Sequence, residues 1–386
     1  MASRWSSKTP NCLRIVELSD VHLGHPHTKA ADIVERLKAG PFSEESLAKA
    51  DLVVIAGDLW DRLLKTNDED YQCGLLMLLT LCRRCQYHRV VCRILEGTTL
   101  HDNHQSRLLD TLVNGLRSKN PDKVYDVAYV RDLSIEHIDA LGIDVLYVPD
   151  NLGDAAPTFS RVRELMDERR LEAVDFGFMH GQFRYQMPEV ADRGFVHREE
   201  DYLGVVRHQI FIGHHHTFSQ FDRIVASGSF DRLGQNEEGA KGHVVYDLFD
   251  DHQWRIAHVH NEKAQIYKTL QITKPGLEQS LAEIGKLCAK MEPGAILRLQ
   301  LHRTHPLVAQ LSDVPRLFPS WRWSAPKILE EQETADVRLW KKEEEDHVSL
   351  DINPKTVAGL LDAEFSRLGA SEESRRRALL ILETLR

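Results

Sequence analysis

The chain has 386 residues, 42% hydrophobic and 28% charged, with a formal net charge of −10. These are values of an ordinary globular protein, and they exclude one that holds nucleic acid by overall positive charge. No apolar run reaches the ~18 residues of a membrane helix and the opening MASRWSSKTPN lacks the apolar core of a secretory signal, so a cytoplasmic address with no membrane partner is expected.

From the N-terminus, short apolar runs alternate with polar, helix-like stretches. Leu13–Leu18, Leu52–Ala56, Val90–Leu95, Val145–Val148, Asp175–Met179, Gln209–Ile212 and Val244–Leu248 read as buried strands. Thr28–Ala39, Asp70–Tyr87, Ser106–Ser118 and Ser160–Arg170 read as helices, so the expected class is α/β. The six cysteines are too few and too clustered for a disulfide framework. Cys82 and Cys85 form a CxxC with no second pair to complete a zinc site, and are read as reduced thiols.

A second unit begins near Ala264. Strand-like Tyr267–Thr273, amphipathic Gly276–Met291 and alternating Ile296–Leu301 make a βαβ fragment that could form a small cap or add strands to the main sheet. The segment 330–352 is charge-dense and reads as a linker. Beyond it, Asn353-Pro354 can start one helix and Ser371 a second, giving a hairpin over 353–386 with apolar stripes that need a partner or the protein body to cover them. The expected domains are thus 1–262, 263–329, the linker 330–352 and the hairpin 353–386.

Chemistry concentrates at strand ends. Asp20-Val21-His22 follows LRIVEL, and Gly57-Asp58-Leu59-Trp60-Asp61 follows LVVIA. A carboxylate and an imidazole at a strand's end project into the crevice where α/β sheets place ligands. Asp58 has two oxygens and can bridge two cations, which two-metal phosphoryl chemistry requires. Further on, His180-Gly181 ends DFGFM and Gly213-His214-His215-His216 ends QIFI. Alternation sends His214 and His216 to one side and His215 to the other. Any one of these histidines alone would more often be a packing or surface residue. Five strand ends offering D-x-H, G-D, an Asn/His element, H-G and G-H-x-H in order read as a metal centre.

This ordered set resembles the calcineurin-like metallophosphoesterase family, over about residues 12–260. The resemblance implies a four-layer α-β-β-α sandwich and two metals sharing Asp58. Asp20, His22 and His216 would serve one metal; the third-motif Asn, His180 and His214 the other. Asp61 would support by hydrogen bonding. The third motif departs from the family's GNHD: the chain reads Glu96-Gly97-Thr98-Thr99-Leu100-His101-Asp102-Asn103-His104. In one register, preferred here, His101-Asp102 supplies the catalytic imidazole and Asp102 or Asn103 must reach the metal. In the other, Asn103-His104 is the displaced Asn-His pair.

The segment Ala226–Gly242 resembles the Gly-Ser…Arg…Glu…Lys-Gly stretch of SbcD-type nuclease subunits, phage-type members included. Arg232, Glu237 and Lys241 stay in order while Phe230-Asp231 replaces a Pro-containing pair. This resemblance implies a nuclease subunit acting on DNA with two Mn²⁺ ions (Fe²⁺, Zn²⁺ or Mg²⁺ as alternatives), Arg232 and Lys241 contacting phosphates, a homodimer, and an SbcC-type coiled-coil ATPase held by the C-terminal hairpin. The alternatives are a stand-alone phosphodiesterase or phosphatase for small nucleotides and, more weakly, a scaffold disabled by its altered third motif.

Overall fold

The computed structural model describes residues 8, 11–150, 153–187 and 195–329. The chain divides into two compact units, 1–328 and 329–386. The expected linker and helical hairpin fall in the second, outside the described residues.

The first unit is mixed α/β. Its strands in chain order are β1 (Cys12–Leu18), β2 (Leu52–Ile55), β3 (Val91–Leu95), β4 (Val127–Val130), β5 (Ser134–Ile138), β6 (Ile143–Val148), β7 (Val174–His180), β8 (Val206–Gly213), β9 (Ser219–Phe221), β10 (Ile224–Ala226), β11 (Gly242–Phe249) and β12 (Trp254–His260). They form two six-stranded mixed sheets, in the orders β12-β11-β1-β2-β3-β4 and β5-β6-β7-β8-β10-β9. The chain builds β1 to β4 in parallel, crosses to the second sheet, and returns at β11, which lies antiparallel to β1 with Ile15 opposite Tyr246.

Burial on both faces explains why the strands are near-continuous apolar runs. Along β1, Val16 and Leu18 pack in a cluster with helices 30–39, 69–88 and 108–119. Leu13 and Ile15 point the other way and join Phe176, Phe178 and Phe211 of the second sheet in a shared core. Phe178 and Phe211 stack there with ring centroids 5.0 Å apart. The other face of the second sheet, with Met179, Ile210 and Ile212, is covered by helices 155–169 and 199–203. Helix 69–88 starts where the Asp68 carboxylate accepts the Asp70 N–H at 2.9 Å, and stops at Arg89 in the left-handed region.

After residue 263 the chain forms a separate sheet. Strands β13 (Tyr267–Gln271), β14 (Ile296–His302) and β15 (Arg322–Trp323) run parallel, with helix 277–288 joining β13 to β14. Its core of Leu270, Ile284, Leu297, Leu299 and Leu301 is distinct from the other three. The strands 267–273 and 296–301 expected from sequence thus pair with each other and not with the main sheets. No described helix is long and apolar enough to cross a membrane.

Candidate metal centre

The loops leaving β1 and β2 are tied together: the N–H groups of Val21 and His22 both donate to the Asp58 carbonyl, at 2.9 and 3.1 Å. This fixes Asp20 beside Asp58 by backbone bonds alone. Asp20, His22, Asp58 and His214 all have positive φ, at 52°, 53°, 50° and 95°. Side chains seldom adopt that region, at a cost of roughly 1–2 kcal/mol each. Four such residues in one place mark strain held for a purpose. Gly57 and Gly97 allow the close approach. A Cβ on Gly57 would lie 2.3 Å from His180 Nδ1, and one on Gly97 would lie 2.1 Å from the Asp58 nitrogen.

The result is three overlapping groups whose ligand atoms lie within 4.8 Å of one another: Asp20, His22 and His216; His22, Asp58 and His101; and Asp58, His180 and His214. Asp58 Oδ2 is 3.3 Å from His180 Nε2 and 3.8 Å from His22 Nε2. His216 Nε2 is 3.6 Å from Asp20 Oδ1 and 3.3 Å from His22 Nε2. Histidine and carboxylate converging on shared points, all buried or nearly so, are the donor set of a divalent metal site. No ion's identity follows from it.

The far sides of the rings are anchored. His180 Nδ1–H donates to the Ala56 carbonyl at 2.7 Å and His101 Nδ1–H to the Asp61 carbonyl at 2.7 Å. A carbonyl only accepts, so each ring, in its neutral form, carries its lone pair on Nε2, facing the cluster. His216 Nδ1 lies 2.7 Å from Glu237 Oε1, the carboxylate–histidine arrangement that orients metal-binding imidazoles. Asp20 is steadied by the His214 N–H at 3.0 Å and the Ser19 hydroxyl at 2.5 Å.

Electrostatics follow this packing. Burial pushes Asp58 up, but the charge and hydrogen bond of His180 override it and hold the carboxylate below its ordinary range. His180 moves the opposite way: burial lowers it, and Asp58 raises it well above the usual value. Burial beside His180 pulls His214 down to about 4. The centre therefore keeps its carboxylates ionised.

Six sequence-predicted ligands, Asp20, His22, Asp58, His180, His214 and His216, fall in these groups, and so does His101. Others lie elsewhere. Asp102 directs its oxygens to backbone N–H groups of Gly97 (2.7 Å), Trp60 (2.9 Å) and Asp58 (3.1 Å). It braces the turn and is not placed as a ligand. Asn103 is exposed in the left-handed region and makes no side-chain hydrogen bond to the cluster. His104 is turned to Glu96, with Nδ1 2.9 Å from Oε1 and nearly half its side chain exposed. Of the two registers, the geometry puts His101 at the centre and His104 outside it.

The two expected phosphate contacts are also engaged elsewhere. Lys241 is buried, its ammonium on Glu237 (2.7 Å), the His216 carbonyl (2.7 Å) and Ser229 (2.8 Å). Arg232 donates to the carbonyls of Gly239, Ala264 and Gln265 at 3.0 to 3.3 Å. Both hold the loop after β10 in place.

Sequence reading missed three neighbours. The Thr98 hydroxyl sits 3.2 Å from Asp58 Oδ2, 3.3 Å from His214 Nδ1 and 3.5 Å from His180 Nε2. It occupies the position directly after Gly97, and that place in the third motif was the available signal. Asp150, just past β6, is pushed up to about 6 by burial, partly offset by His180. No motif surrounds it. Glu237 was noted only as a residue in order, and its contact with His216 gives it a role.

No protein-family model matches the chain, and no curated protein matches it. Among solved structures it is similar to TT1561 of Thermus thermophilus, at 10% identity over 64% of this chain and 98% of that one, with a TM-score of 0.34. It is also similar to GAP50, the anchor in the inner membrane complex of Plasmodium, at 11% identity over 66% and 87% and a TM-score of 0.39.

Proposed function

We propose that this chain is a two-metal, manganese-dependent phosphodiesterase of the calcineurin-like type, built as a four-layer sandwich, and that its substrate is DNA, as in SbcD-type nuclease subunits. The observation that carries the reading is the sharing of Asp58 and His22 among three adjoining His/Asp groups.

Asp20, His22 and His216 would hold one ion and Asp58, His180 and His214 the other, with Asp58 common to both and the Thr98 hydroxyl beside it. Two divalent ions there would supply an activated water and neutralise charge on the phosphoryl oxygens. The chain's own part is to keep Asp20 and Asp58 ionised, to hold the imidazoles in one tautomer and to position His101. With Nδ1–H held by the Asp61 carbonyl, His101 Nε2 is presented to the centre and, once protonated, can hand a proton to the departing oxygen.

DNA as substrate, a homodimer and an SbcC-type ATPase bound through residues 353–386 belong to the same proposal and rest on the Ala226–Gly242 segment and the tail. Because Arg232 and Lys241 are committed to the fold, a small nucleotide is the competing substrate. The purified chain with Mn²⁺ should degrade DNA ends. Hydrolysis of a cyclic dinucleotide with DNA left intact overturns the nuclease reading, while loss of ATPase binding on truncation at Glu330 with nuclease activity retained supports the assembly.

A further inference from the structure

A cleft of about 290 Å³ opens beside the metal centre, between the loop that follows β1 and the separate sheet after residue 263. Lys29, Arg62 and Arg322 line it, with His25, His27 and the carboxylates Asp32 and Asp70. Lys29, His27 and Arg322 are exposed and form no ion pair among the described residues; Arg62 has only a 3.8 Å approach to Asp61. Of the carboxylates, Asp70 accepts the Ala30 N–H at 3.2 Å. Thr28, also lining the cleft, is buried. Its hydroxyl and that of Tyr267 lie close enough to interact, yet neither makes a well-formed hydrogen bond.

The cleft joins the centre at two points. The His25 N–H donates to the His22 carbonyl at 3.1 Å, and Arg62 follows Asp61, whose Oδ1 is 3.3 Å from His22 Nδ1. In a chain of net charge −10, three exposed cations around a cleft that adjoins the His/Asp cluster, outnumbering Asp32 and Asp70 in the same lining, are what an anionic substrate would be drawn to. We propose that this cleft binds a second phosphate of the substrate, one flanking the scissile phosphodiester in a DNA strand, through Lys29, Arg62 and Arg322. The proposal rests on the phosphodiesterase reading above and narrows it to substrates with more than one phosphate. It also makes the separate sheet, through Arg322, part of the substrate site.

Binding of a fluorescent single-stranded DNA oligonucleotide to the full chain in EDTA, followed by anisotropy across a salt series, tests it. Lys29→Gln/Arg322→Gln should weaken binding about tenfold and reduce the slope of log affinity against log salt by about 0.7, the value for one lost phosphate contact. Arg161→Gln, on an exposed helix face, should do neither. Equal binding by wild type and double variant, an equal loss in Arg161→Gln, or no binding by the wild type each overturns the subsite. Adding Mn²⁺ separates the two readings: an oligonucleotide held through the cleft but left uncut leaves the subsite standing and removes the nuclease.

Discussion

The two sheets contribute to the centre in different ways. The first supplies both carboxylates of the cluster, Asp20 and Asp58, together with His22, all three at positive φ in loops tied by backbone hydrogen bonds. The second supplies His180 from the end of a regular strand, and His214 and His216 just past one. The carboxylates thus stand on one side, together with His22 and His101, and only imidazoles on the other. The site exists only where the shared core of Ile15, Phe178 and Phe211 brings the sheets together. An anionic half alone would repel itself; the facing histidines make it tolerable.

The largest effect should come from the residue both groups share. Asp58→Asn should lower Mn²⁺-dependent hydrolysis of bis(p-nitrophenyl) phosphate by at least about 10³-fold, and unaltered hydrolysis would remove the metal assignment. Next, His101→Asn should reduce kcat by about 10²–10⁴-fold, the usual value of a general acid, while His104→Asn changes little. A reversed ranking would restore the other register. On the imidazole side, Glu237→Gln should weaken metal binding by about 10–100-fold, as loss of a histidine-orienting carboxylate does. Mn²⁺ titration checks this, and the same change leaves Lys241 without its buried partner, so a lower melting temperature should accompany it.

The smallest effect lies away from the centre. Arg93 grips Glu136 through two hydrogen bonds, at 2.6 and 2.9 Å, between β3 of one sheet and β5 of the other. Burial raises Glu136, but the hydrogen bond and charge of Arg93 outweigh it and hold the carboxyl below its ordinary value of 4.5. A depressed carboxyl contributes stability above its unfolded pKa and loses it as pH falls through the folded one. Glu136→Gln should therefore be less stable than wild type at neutral pH, with the gap closing below about pH 4.5. Denaturant melts at pH 7 and pH 3.5 measure it; a gap that widens in acid contradicts the pairing.

Much of this was legible in the sequence because strands buried on both faces read as unbroken apolar runs. LRIVEL, LVVIA and QIFI mark their own ends, and the ligands stand at those ends. The strands that escaped notice were the short or half-exposed ones: β4, β5, β9, β10, β12 and β15. The sequence Trp254-Arg-Ile-Ala-His-Val-His260 lies on a sheet edge and offers little apolar signal. Around the site, the roles of Asp102 and Lys241 could not be read from residue type. A carboxylate that braces three amides and one that binds a cation are the same letter, and only folding shows which groups reach it. Thr98 escaped for the opposite reason, since a hydroxyl is seldom counted as a ligand until it is seen against Asp58, His180 and His214.

The most direct test of the shared centre is the number of Mn²⁺ ions held per chain by wild type and by Asp58→Asn, measured by equilibrium dialysis with metal analysis. Two ions in the wild type and a loss at both positions in the variant is the expected result. Two ions retained by Asp58→Asn, or none bound by the wild type, would contradict it.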